Sequence, residues 1–154
     1  MLIYEHRGDK LAIAGAIDDK ADVLGLMAHA KDGRLVLDLG GIRFINSLGV
    51  REWIRLQQAA AKANVQVELH RVAVVLVHQL NIVVATRGTA IVHSFFAPYV
   101  CEECDAEHDM VVDERLHADA FANHVPPPMS CPECRRAMEF RDPPELYFSF
   151  LAKS

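Results

Sequence analysis

Arg34-Leu-Val-Leu-Asp-Leu-Gly-Gly-Ile-Arg-Phe-Ile-Asn-Ser-Leu-Gly-Val50 carries the densest structural signal in the chain. Arg34 to Leu39 is a short, nearly unbroken apolar run, the pattern of a strand buried on both faces in a parallel sheet. Gly40-Gly41 is expected to break that strand. After Ile42 to Asn46, Ser47 supplies a residue type that favours helix starts. Val50, Trp53, Ile54 and Ala60 follow as the inward positions of a helix running to about Ala63. Strand, glycine loop and helix are therefore expected in direct succession.

Working outward, Leu2 to Glu5 and Lys10 to Ile17 read as two strands around Arg7-Gly8-Asp9, the second with Leu11, Ile13 and Ile17 in alternation. Asp18 or Asp19 is expected to cap a helix to about Ala30, with Val23, Leu24, Met27 and Ala28 on its apolar stripe. On the other side, Val65 to Leu69 is a strand. Val72 to about Leu80 fits two descriptions: β-branched content favours a strand, while its position between strands favours a helix. We adopt the helix. Thr89 to Phe95 then forms a last strand. Strands alternating with helices predict an α/β layer on a mixed sheet.

Composition changes at about Phe96. All four cysteines and all seven prolines lie in residues 97–154. Residues 1–96 hold 11 Lys and Arg against 9 Asp and Glu, a net +2, whereas 97–154 hold 5 against 12, a net −7. Residues 1–96 are thus expected to be one domain that folds on its own apolar periodicity, and 97–154 a small module that needs a staple. The acidic balance argues against nucleic acid, whose phosphates bind Lys and Arg. Met1-Leu-Ile-Tyr-Glu-His-Arg7 lacks a basic segment followed by an apolar one, so a cytoplasmic location is expected. Val72 to Ala85, the longest apolar run, is too short to span a bilayer.

The staple is legible in the cysteines. Cys101-Glu-Glu-Cys104 and Cys131-Pro-Glu-Cys134 are separated by 26 residues. Each C-x2-C places two thiolates on one tight turn, and two such turns brought together give the closed four-sulfur set that structural zinc prefers. One Zn2+ on Cys101, Cys104, Cys131 and Cys134 is expected. A pair of disulfides would need an oxidising compartment, and a thioredoxin-like redox site would need a single motif beside a βαβ unit. His108, His117 and His124 could each replace a cysteine, but four thiolates leave no vacancy. The segment resembles a zinc ribbon. Ribbon knuckles often carry glycine just after the second cysteine, where this chain has Asp105 and Arg135.

Three stretches in the first hundred residues resemble the STAS domain of anti-sigma factor antagonists: Ile13-Ala-Gly15-Ala-Ile17-Asp18, Leu35-Val-Leu-Asp38-Leu, and Phe44-Ile-Asn46-Ser47-Leu-Gly49-Val50. The resemblance covers about residues 1–95 and implies a STAS-like mixed β-sheet with helices, followed by a small C-terminal zinc-ribbon module with four cysteine ligands. It also implies a role for Ser47. In that family the matching serine is phosphorylated by a partner kinase that is itself the anti-sigma factor, and phosphorylation breaks the complex. Gly49 matches as well, while Asn46 stands where the family usually has aspartate.

Independently of the family, Ser47 at a helix start reads first as an N-cap, and a phosphate there would face the positive end of the helix dipole. Ser47, Arg51, Arg55, Gln58 and Lys62 fall on one exposed helix side, with Arg43 at its edge. The expected function is a non-enzymatic protein–protein interaction regulator in a partner-switching pathway, whose protein partner is an anti-sigma factor or serine kinase. Its interaction surface comprises Arg43, Asn46, Ser47, Gly49, Arg51, Arg55 and Lys62, and the ribbon is a second docking element. The alternative is a nucleic-acid-associated zinc-ribbon transcription accessory protein, which the −7 segment disfavours. A zinc deaminase would need H-x-E, and His108 is followed by Asp109 and Met110, His117 by Ala118 and Asp119.

Overall fold

A computed structural model describes residues 2–151. Strands β1 (Leu2–Arg7) and β2 (Lys10–Ile17) form an antiparallel hairpin. β2 pairs in parallel with β3 (Arg34–Ile45), β3 with β4 (Gln66–His70), and β4 with β5 (Ile91–Val92). The result is a five-stranded mixed sheet in the order β1-β2-β3-β4-β5, an α/β arrangement as expected. Helices α1 (Ser47–Lys62) and α2 (Val74–Ile82) pack on it, so that Leu39 and Leu69 of the sheet meet Trp53, Leu76 and Leu80.

The two glycines that were expected to break β3 lie inside it. Ala12 pairs with Asp38 and Ala14 with Gly41; Gly15 pairs with Ile42 and Ala16 with Phe44. At each step β3 spends one residue more than β2, so the strand absorbs two bulges instead of ending. Space favours glycine at the first of them: a Cβ on Gly41 would lie 2.7 Å from the Ala14 Cβ and 3.0 Å from its Cα on the neighbouring strand.

The expected helix over 18–30 shrinks to a 3-10 helix at Leu24–His29. The Asp22 carboxylate accepts the Gly25 N–H at 3.0 Å and the Asp18 carboxylate accepts the Lys20 N–H at 3.0 Å. Such local bonds offer the backbone an alternative to a helix. Val23 and Leu26 are the buried residues here, while Leu24 and Ala28 are exposed.

Val74–Ile82 is helical. Its sequence could not decide this because the helix is apolar nearly all round, as expected of one packed on more than one side. Leu76, Val77 and Leu80 are buried, with Leu76 and Leu80 toward the first sheet. Asn81, on the same helix, donates to the Tyr147 carbonyl at 2.9 Å and accepts the Phe150 N–H at 2.8 Å.

The C-terminal part is built on a second sheet. The strand expected over 89–95 is split: β5 is followed by His93 alone, and then by β6 (Ser94–Val100), which stops one residue before Cys101. β6 pairs antiparallel with β7 (Glu107–Asp113) on one side and β8 (Glu139–Phe140) on the other. The short helices α3 (Ala118–Ala122) and α4 (Pro144–Tyr147) and a 3-10 turn at Phe148–Leu151 pack nearby. Phe95 lies 5.0 Å from Phe150 and 5.5 Å from Phe121 between ring centroids. The compositional boundary at 96/97 thus falls within a strand, and one continuous apolar cluster contains residues from both sides of it. No helix among the described residues is long and apolar enough to cross a membrane.

Candidate metal centre

Each cysteine pair sits on a turn of the same form. The Cys101 N–H donates to the Ala106 carbonyl and the Cys131 N–H to the Arg136 carbonyl, both at 2.8 Å. Between these bonds the chain turns through a left-handed residue, Asp105 at φ 58° and Arg135 at φ 64°. These are the positions where ribbon knuckles often have glycine, which reaches positive φ without steric cost. The turns keep the geometry without the glycine, at some backbone strain.

The four sulfurs converge. All lie within 4.8 Å of one another, with Cys101 Sγ 3.3 Å from Cys134 Sγ and Cys104 Sγ 3.7 Å from Cys131 Sγ. None is in a disulfide. A tetrahedron with metal–sulfur bonds of about 2.3 Å has edges of about 3.8 Å, close to these spacings. Backbone N–H groups of Cys134 and then Glu133 aim at the Cys131 sulfur and hold its thiol down to about 6 against the push of burial. For Cys104 the Ala106 N–H pulls the same way, but the surrounding thiols, Cys101 foremost, outweigh it and push it up to about 12. Four thiolates at this separation repel one another, so full ionisation needs a cation among them.

Of the three histidines considered as substitutes, His108 alone lies beside the cluster, forming with Cys131 and Glu133 a second group of ligand atoms within 4.8 Å. His117 packs edge-on against Phe121. His124 is exposed.

Elsewhere on the fold, Ser47 opens α1, but the cap is Asn46, whose side-chain oxygen accepts the Gly49 N–H at 2.9 Å. The Ser47 side chain is exposed, as are Arg43, Arg51, Arg55, Gln58 and Lys62. Glu52 pairs with Arg55 at 2.9 Å and approaches Arg51 at 3.6 Å. Gly49 is buried below this surface: a Cβ there would collide with the Ile17 carbonyl, so the glycine lets the first turn of α1 close onto the end of β2. Two apolar side chains flank Ser47 that the charge count along the helix had passed over, Phe44 at 51% exposure and Leu48 at 43%.

A third polar cluster was not anticipated. Buried Glu68 accepts two hydrogen bonds from Arg34, at 2.5 and 3.0 Å, and one from His93 at 2.8 Å, while His70 stacks on His93 at 4.6 Å. The Arg34 bonds, and after them His93, hold the Glu68 carboxyl at about 2 against the push of burial. A lone Glu in Gln66–His70 gives no sequence signal, because its partners come from distant positions.

No family model matches the sequence, and no curated protein is significantly similar to it.

Proposed function

We propose that this chain is a non-enzymatic protein–protein interaction module, a STAS-like regulator similar to the anti-sigma factor antagonists, carrying one structural zinc ion. The observation that carries the docking half is the exposed cluster at the start of α1. Phe44 and Leu48, three positions before Ser47 and one after it, expose apolar area, and Arg43, Arg51 and Arg55 are exposed along the same stretch, the last two sharing Glu52. Apolar anchors within a charged rim are the usual anatomy of a protein-binding patch. The partner that fits is an acidic surface, and in a partner-switching pathway it would be an anti-sigma factor or serine kinase in the cytoplasm.

Ser47 suits a switch better once capping is assigned to Asn46, because its hydroxyl is then free of a structural duty. A phosphate there would add up to two negative charges to a basic patch and oppose docking of an acidic partner. Without the aspartate usual in the family at position 46, phosphoryl transfer would be slow, and binding largely constitutive.

Zinc is proposed from the donor set. Four thiolates on two matched turns form a closed tetrahedral site with no position left for substrate, which is the structural and not the catalytic arrangement.

The test is quantitative. A partner cross-linked to the chain in its host, then purified, would be titrated calorimetrically with wild type, Ser47→Ala, Ser47→Asp and Leu48→Asp. The reading expects Ser47→Ala to bind like wild type and both aspartate variants to bind at least about 10-fold more weakly. Equal affinity across all four would remove this patch from the interface.

A further inference from the structure

Beside the four-cysteine site, we infer that His108, Glu133 and the Cys131 sulfur hold a second divalent cation of the zinc class, with Cys131 bridging the two ions. The inference rests on the reading that the four cysteines bind the first.

His108 stands on β7 opposite Tyr99, which places its ring at the end of the second sheet next to the knuckle of Cys131. Its Nε2 is shielded from solvent and has no hydrogen-bond partner among the described residues. A buried, unpartnered ring nitrogen costs free energy unless something fills its lone pair. Glu133 Oε2 lies 3.4 Å away, close enough to attract but without hydrogen-bond geometry. That separation is about the edge of a tetrahedron with metal–nitrogen and metal–oxygen bonds near 2.1 Å. Cys131 Sγ completes the set, all three donor atoms lying within 4.8 Å of one another.

Charge favours a second ion here. Four thiolates around one divalent cation leave a net −2, and the segment that holds them carries −7 by its own sequence. A second cation meets that excess, and the Glu133 carboxylate reduces its own charge further. The donors select its chemistry: imidazole nitrogen, thiolate and carboxylate suit zinc or cobalt, whereas magnesium and calcium require oxygen alone. Glu133 is well exposed, and three protein ligands leave a coordination position to solvent. The second ion is therefore exchangeable and weaker than the first.

The test counts metal on the full chain. Protein purified without chelator would be dialysed against excess zinc and analysed for metal per chain, as wild type, His108→Ala and Glu133→Gln. In parallel, cobalt titration of the metal-free chain would follow the thiolate-to-cobalt absorption. The expectation is two ions in wild type. Each variant should keep one, with the absorption of the first cobalt equivalent unchanged, and should bind the second at least about 10-fold more weakly. One ion in wild type overturns the second site and leaves the four-cysteine site standing. No ion at all overturns both. Two ions held equally by wild type and the variants would also overturn it, since the second ion would then sit elsewhere.

Discussion

The Asn81 side chain donates to the Tyr147 backbone carbonyl at 2.9 Å, tying the helix on the first sheet to the last turns of the described chain. The same amide oxygen accepts the Phe150 N–H at 2.8 Å and the Ser149 hydroxyl at 2.9 Å. One residue thus satisfies three polar groups where two apolar surfaces meet. Asn81→Ala should leave the buried Phe150 N–H without its partner and destabilise the protein by about 1–3 kcal/mol. Urea denaturation would measure it. A loss below a few tenths would mean that water replaces the amide at no cost.

Removing the C-terminal segment should be worse. A chain ending at Phe96 loses most of β6 and uncovers Phe95, which packs against Phe121, Phe148 and Phe150. It should aggregate or melt well below the full chain, as followed by circular dichroism. A truncated form with native melting temperature would mean that residues 1–96 hold together alone.

Helix α1 provides a cap test. Asn46→Ala should cost about 1 kcal/mol and Ser47→Ala only a few tenths, because the bond to the Gly49 N–H comes from Asn46. Thermal melts of the two variants compare them directly. Equal losses would transfer the cap to Ser47.

Acid should act through Glu68. Its folded carboxyl titrates at about 2, below the usual value of 4.5, so folding favours the charged form. The stability this contributes is complete above about pH 4.5 and is lost as pH falls through 2. Glu68→Gln should therefore lower the melting temperature at pH 7, and the gap to wild type should close between pH 4.5 and 2. A constant gap across that range would make the loss one of packing and not of charge.

Loss of one thiolate gives a final check of the proposed zinc site. Cys131→Ser should abolish tight metal binding and disorder both knuckles, since in such sites binding energy is also folding energy. Metal analysis and near-ultraviolet circular dichroism would follow it. A variant that still retained a full equivalent of zinc would remove Cys131 from the ligand set.

How far the sequence spoke depends on whether a feature is local. The knuckles were legible because both halves of each turn lie within six residues, and β3 to α1 because periodicity and a cap residue coincide near Asn46 and Ser47. Choosing between those two as cap was not possible, since either side chain can accept the bond and only the chain path decides. The helix expected from a cap at Asp18 or Asp19 shrinks to the 3-10 turn at Leu24–His29, because the Asp18 carboxylate instead closes a local turn on the Lys20 N–H. The two bulges in β3 depend on its neighbour β2, and the contacts of Glu68 with Arg34 and of His108 with Glu133 join positions 34 and 25 apart in the chain. No window of sequence contains either pair.

The double covering of α2 has a consequence in time. Leu80 leaves the ribosome some 67 residues ahead of Tyr147. At roughly 5–20 residues per second that is about 3–13 s during which the growing chain shows an apolar helix with one of its sides unclad. Synthesis in the cell thus opens an interval in which a chaperone can compete with self-association for that surface. Proteolysis of chains stalled between these two points would show the helix as their weakest stretch.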